Sequence, residues 1–222
     1  MSTELTNVQQ RVAQQLERQA LAAQGLRTTG AYISFKNANM KIDGAPVPNN
    51  MVDVRVVAIV PERTYYAGEF DADQAQVPDC YSLDDPNQHH PEASNPQSDN
   101  CKECPHNRWG SGPRGRGKAC REGARVIVMP ANVPLKSAAL YTAKVPVTSL
   151  GTVTAFSARC SQAQKLSGEF VTVLSVVEDK KSFFKVHLNI KEISTDLNIE
   201  ELLAKQDQAY ELAMQPYPSL EN

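Results

Sequence analysis

The chain has 222 residues, with 23 Lys and Arg against 25 Asp and Glu, a formal net charge of −2 and 41% hydrophobic residues. That balance excludes a disordered, fibrous or collagen-like chain and allows a sizeable core; without an apolar run of about 18 residues, no membrane span is expected. The opening residues MSTELTNVQQRVAQQLERQ lack the apolar stretch of a signal peptide, which predicts a cytoplasmic chain in a reducing compartment. Its five Cys then read as metal ligands or buried thiols rather than disulfides.

In chain order, Leu5, Val8, Val12, Leu16 and Ala20 recur at spacings of three and four, predicting a helix over 4–24 within an N-terminal segment 1–30. Strands follow at Ala31–Phe35 and Met40–Ile42, then a loop over Gly44–Asn50. Met51–Val60 is rich in β-branched residues and reads as a strong strand that Pro61 should end, with a separate short strand at Thr64–Ala67. Residues 68–123 are dominated by Gly, Pro, Asp, Asn and Ser. That is too long for an ordinary loop, so something other than apolar burial should order it. Strands resume at Ala124–Met129 and Ala138–Lys144. A helix over Val147–Leu166 places Leu150, Val153, Phe156 and Cys160 on one face, with Thr148 or Ser149 as cap. Phe170–Val177 and Phe183–Ile190 read as a hairpin, and Asp196–Ala213 as a closing helix capped by Asp196. The tail MQPYPSLEN, with Pro216 and Pro218, should be flexible.

This order predicts a mainly β chain with flanking helices (α+β). The favoured architecture is an OB-fold-like antiparallel barrel over 31–195, with a four-cysteine zinc subdomain inserted at about 68–123; a sandwich is the alternative. Residues 196–222 form the C-terminal helix and acidic tail.

Cys80, Cys101, Cys104 and Cys120 have the spacing C-x20-C-x2-C-x15-C. Two thiolates three residues apart can grip a tetrahedral zinc from one tight turn, and four thiolates leave no open catalytic position. One structural zinc per chain would supply roughly 10–16 kcal/mol of apparent binding energy to a loop without a core. His89, His90 and His106 compete with Cys80 for the fourth place; redox chemistry at the C-x-x-C and free thiols are the other readings. Cys160 reads as a small core residue. Asp71, Asp73, Asp79, Asp84 and Asp85 read as solvated loop acids rather than a magnesium site.

Charge is segregated. Residues 62–101 carry 1 basic and 9 acidic side chains, residues 102–125 carry 7 and 2, residues 126–191 carry 8 and 3, and residues 192–222 carry 1 and 7. The basic block holds Arg108, Arg114, Arg116, Lys118, Arg121 and Arg125, interleaved with Gly110, Gly112, Gly115 and Gly117 and with Trp109, the one Trp of the chain. Single-strand binders combine cations that track phosphates with aromatic faces on which bases stack. Trp109, Tyr65, Tyr66 and Tyr81 can supply such faces. In the alternative reading Trp109 packs over the zinc site as a miniature core, and one of Tyr65 and Tyr66 is internal.

The run YYAGEFD, PDCYSLDD, NPQSDNCKECPHNRWGS and GRGKACREGARVIV, over about residues 64–129, resembles bacteriophage proteins that bind single-stranded DNA. More loosely, the plan is similar to the single-stranded-DNA-binding protein of the T-even phages, an OB-fold with a zinc subdomain. That pattern uses one His and three Cys with the C-x-x-C last, whereas here the C-x-x-C stands in the middle. The resemblance implies sequence-independent binding of single-stranded DNA in phage replication or recombination, in the host cytoplasm. It also implies an acidic C-terminal segment that recruits other replication or recombination proteins.

No Walker A motif is present, because Ala119 follows Lys118; there is no H-E-x-x-H and no G-x-S-x-G, so no enzyme is expected. The alternative function is a zinc-ribbon adaptor for protein interaction or transcription, without strong DNA affinity.

Overall fold

The computed structural model describes residues 31–68 and 76–217. The helix expected over 4–24, Asp71, Asp73 and the end of the tail lie outside them. Among the described residues there are nine strands: β1 (Tyr32–Ser34), β2 (Lys41–Ile42), β3 (Ala45–Pro46), β4 (Met51–Tyr65), β5 (Cys80–Leu83), β6 (Arg121–Pro130), β7 (Tyr141–Pro146), β8 (Phe170–Asp179) and β9 (Phe183–Ile193). Two helices accompany them, α1 (Leu150–Gln162) and α2 (Ile199–Met214). The strands form one sheet in the order β3-β2-β1-β7-β6-β4-β8-β9, with β5 added to β4. The chain is mainly β, its sheet strongly curled into a half-barrel.

β4 is the spine. Its first residues pair with β8 (Met51 with Ser175), its length pairs with β6, and its last four pair with β5 (Glu62 with Leu83 through Tyr65 with Cys80). Pro61, expected to end this strand, lies inside it. The Pro61 carbonyl accepts the Asp84 N–H at 2.9 Å on the β5 side. In a strand the N–H and C=O of one residue point the same way, so the donor that proline lacks is missing from that side and no bond to β6 is lost. A bulge between Val56 and Ala58 breaks the β4–β6 register, and such a bulge increases local twist and curl.

Alternation sorts the side chains into two cores. The inner face gathers Ile33, Val54, Val56, Val126, Val128, Val145, Leu174 and Val186 around Val153, Phe156 and Cys160 of α1. Phe156 meets Phe170 edge-on at 6.4 Å; burying each ring contributes about 1.5–3 kcal/mol. The outer face gathers Val57, Val60, Ile127 and Met129 under Leu202, Ala209 and Ala213 of α2, and the insertion adds Tyr81, Leu83 and Ala93. The insertion is therefore not free of core contacts.

Ser149 precedes α1 but does not cap it. Its hydroxyl oxygen accepts the Val186 N–H at 2.9 Å, and the Thr152 hydroxyl donates to the Val186 carbonyl at 2.9 Å. The cap of α2 is Asn198, two residues after the expected Asp196; its side-chain oxygen accepts the Glu201 N–H at 3.2 Å. Among the described residues no helix is long and apolar enough to cross a membrane.

Candidate nucleic-acid interface

At the Tyr65 end of the sheet, the register pairs Tyr65 with Cys80 and Thr64 with Arg121, so Cys80 and Cys120 flank the end of β4. Cys101 and Cys104 approach from the insertion. All four are free thiols. Burial pushes Cys80, Cys101 and Cys120 up, and the neighbouring thiols push them further, Cys120 to about 12. The four sulfurs are thus within electrostatic reach of one another. No three His, Cys, Asp or Glu among the described residues stand close enough to be grouped as a metal site. Two amide oxygens of the insertion, Asn87 Oδ1 and Asn107 Oδ1, are buried without a hydrogen-bond partner. Both residues flank Cys101: its N–H donates to the Asn87 carbonyl at 2.7 Å, and Asn107 Nδ2 donates to its carbonyl at 2.7 Å. Arg63 bonds the Pro86 carbonyl and lies 3.6 Å from Glu122, tying the insertion to the sheet.

The competing histidines are engaged elsewhere. His106 stacks on Tyr65 with centroids 4.1 Å apart, and His90 stacks on Tyr81 at 4.9 Å. His89 Nδ1 contacts the His90 carbonyl at 3.0 Å. Cys160 lies in the inner core under α1.

The basic segment closes on itself. The Gly110 and Gly112 N–H groups both donate to the Gly117 carbonyl, at 2.7 and 3.2 Å, and the Ser111 oxygen accepts the Ala119 N–H at 3.0 Å. Glycine is required at Gly112, where a Cβ would lie 2.1 Å from the Arg116 carbonyl oxygen. Gly117 has φ +65°, which side chains disfavour. On this closed loop Trp109 is 82% exposed, so it is not a miniature core over the cysteines. Arg108, Arg114, Arg116 and Arg121 are exposed and have no ion-pair partner among the described residues.

Trp109, Lys118 and Arg121 line one cavity of about 500 Å³, together with Tyr66, Lys144 and Tyr217. Its two carboxylates are engaged within the fold. Glu62 accepts from Arg125 at 2.7 Å and from the Tyr217 hydroxyl at 2.8 Å. Glu122 accepts from Lys118 at 2.9 Å, and this bond holds its carboxyl below the usual range. Arg121 has no ion-pair partner among the described residues, while the Lys144 ammonium donates to the Tyr217 hydroxyl at 2.8 Å and burial lowers its pKa.

Two expected contacts are internal. Arg125, Ile127 and Met129 alternate onto the outer face beneath α2, so the Arg125 guanidinium is buried and donates to Glu62 and to the Ala213 and Gln215 carbonyls at 2.9 and 2.5 Å. Tyr81 is 2% exposed, between His90 and the edge of Tyr217. Tyr65 is half-buried against His106.

Two cavity residues escaped the sequence reading. Lys144 is the single charge in β7 and pairs in register with Arg125. Tyr217, assigned to a flexible tail, has the Lys144 ammonium 4.1 Å and the Arg125 guanidinium 4.8 Å from its ring centre. Burial, then Glu62 and Tyr66, push its hydroxyl well above the ordinary tyrosine range. A lone aromatic between two prolines was the available signal.

Searches against family profiles, curated proteins and solved structures give no match to this chain.

Proposed function

We propose that this chain binds single-stranded DNA without sequence preference, through an OB-like half-barrel whose insertion is a zinc subdomain. The observation that carries the reading is Trp109, 82% exposed on a loop tied by its own backbone, at the wall of a cavity holding Tyr66, Arg121 and Lys144. A large aromatic left in solvent beside unpaired cations suits base stacking with phosphate tracking. Phosphates on Arg108, Arg114, Arg116 and Arg121 release counterions, so affinity falls as salt rises, whereas Lys118 is already paired with Glu122.

Cys80, Cys101, Cys104 and Cys120 fit a soft metal by donor chemistry: four uncross-linked thiols that feel one another electrostatically, beside buried amide oxygens without partners, and closing them on one ion would draw the insertion in further. Bound zinc would be held by Cys80 at the start of β5, Cys120 just before β6, and Cys101 and Cys104 of the insertion, and would cross-link these segments. The protein partners of this reading are phage replication or recombination enzymes. They would be recruited by the acidic C-terminal segment, where α2 leaves Ile199 and Leu203 exposed.

Titrating the chain with poly-dT while following Trp109 fluorescence tests the reading. Quenching that weakens with rising salt is expected. An unchanged signal together with no binding by a fluorescent dT oligonucleotide overturns it and favours the zinc-ribbon adaptor.

A further inference from the structure

The β8–β9 hairpin lies at the other end of the spine, because β8 pairs with Met51 at the start of β4 and runs on to Asp179. Its tip is built with care. One Asp179 oxygen accepts the Lys181 and Ser182 N–H groups at 3.1 and 2.8 Å and the Ser182 hydroxyl at 2.7 Å. The other lies 3.3 Å from the Lys185 ammonium. This rigid turn holds Phe183 at φ 67°, a left-handed backbone rare for an aromatic residue, and leaves it 88% exposed.

A cavity of about 720 Å³ opens beside it, lined by Asn37, Ala38, Glu178, Asp179, Lys180, Phe183 and Phe184. Asn37 and Ala38 are left-handed as well, at φ 55° and 57°. Ala38 and Phe183, which seldom adopt this conformation, stand at one cavity beside Asn37, which adopts it readily, and strain of the first kind clusters at functional sites. Phe184 belongs to the inner core, so Phe183 turns to the outer face, as do Val177 and Met51, which are also exposed. Lys180 and Lys181 are exposed and have no ion-pair partner among the described residues, while Asp179 is consumed by the turn and Lys185. The free charge at the tip is therefore cationic, opposed by Glu178 alone within the cavity.

We infer that this hairpin tip is a second contact for single-stranded nucleic acid, one base stacking on Phe183 while adjacent phosphates meet Lys180 and Lys181. The inference rests on the proposed function and extends it, because one strand then touches both ends of β4. Fifteen residues at about 3.3 Å each separate the two ends by at most roughly 50 Å.

Binding of dT5 and dT30 to the parent, Phe183→Ala, the Lys180→Ala/Lys181→Ala pair and Trp109→Ala tests it, with thermal melts to confirm folding. Phe183→Ala should keep the parent's Trp109 quenching by dT5 and weaken dT30 binding roughly 5- to 150-fold, the equivalent of one lost stack. The lysine pair should weaken dT30 binding and lower its salt dependence. Equal dT30 affinity in parent and Phe183→Ala, with Trp109→Ala impaired, overturns the second contact and leaves the first. A parent that binds neither oligonucleotide overturns the proposed function itself. Unchanged dT30 affinity with altered sedimentation of Phe183→Ala shows that the tip meets protein, which also overturns the inference.

Discussion

Arg125 Nε and Glu62 Oε1 lie 2.7 Å apart with both side chains 7% exposed, and the same guanidinium holds the Ala213 and Gln215 carbonyls at the end of α2. One cation therefore joins β4, β6 and the C-terminal segment. Removing one partner of a buried pair strands the other, at a cost of about 3–5 kcal/mol. Arg125→Ala should lower the urea midpoint accordingly and expose Tyr217 to solvent. Under conditions where the variant stays folded, its salt dependence of poly-dT binding should equal the parent's. A reduced slope with unchanged stability would show that Arg125 touches phosphate after all.

Arg114 and Arg116 are exposed and unpaired, so replacing both by Ala should leave stability within about 0.5 kcal/mol. The dependence of log affinity on log salt should flatten by about 1.4, at roughly 0.7 per lost phosphate contact on a single strand. Trp109→Ala should weaken binding at every salt concentration without changing that slope, since stacking releases no counterions. Isotherms between low and high salt separate the two effects.

Gly112→Ala introduces a methyl group where only 2.1 Å is open to the Arg116 carbonyl. The loop has to reopen, losing the paired bonds to Gly117, while both cores lie elsewhere. The melting temperature should change little. Affinity for poly-dT should fall toward that of Trp109→Ala, and the Trp109 emission should become more mobile in anisotropy measurements.

Elemental analysis of protein purified without chelator should give one zinc per chain, and Cys104→Ser should lose it. Cys160→Ala should keep it and cost about 1 kcal/mol of stability, as expected for trimming a small buried group. Loss of zinc in Cys160→Ala would move that residue into the ligand set.

The Asp179 carboxyl is held down at about 2 from an ordinary 3.8, by the Ser182 hydroxyl and amide first and by Lys185 and Lys181 after them. A depressed carboxylate contributes to folding above its unfolded value and loses that contribution as pH falls through the folded one. The hairpin tip should keep its order at pH 4 and lose it between pH 4 and 2. Carbon-detected titration of the Asp179 side chain should show a midpoint near 2, and Asp179→Asn should abolish the transition at Ser182.

Much of this architecture was legible because period and composition point the same way. The run from Met51, the β8–β9 hairpin and the α1 face of Val153, Phe156 and Cys160 follow directly from alternation or helical spacing. Pro61 misled because a missing donor matters only on the side that needs one, and the side is set by pairing. Arg125 misled for a related reason: it reads as one more cation in a basic run, and only strand parity shows that it shares a face with Ile127 and Met129. Lys144 and Tyr217 meet across 73 residues of sequence, a relationship that no local pattern encodes.

Ser149 and Thr152 occupy the donor and acceptor of Val186 on the open side of β9. A row of free amides and carbonyls along an eleven-residue edge is a template for a neighbouring molecule's strand. Here Val186, the fourth residue of that edge, is already bonded to the hydroxyls of Ser149, just before α1, and of Thr152 within it. A neighbouring molecule's strand cannot pair with β9 at Val186, whose donor and acceptor are both taken. Replacing the Ser149 hydroxyl would leave the Val186 N–H buried without a partner, so this edge bond also serves the inner core.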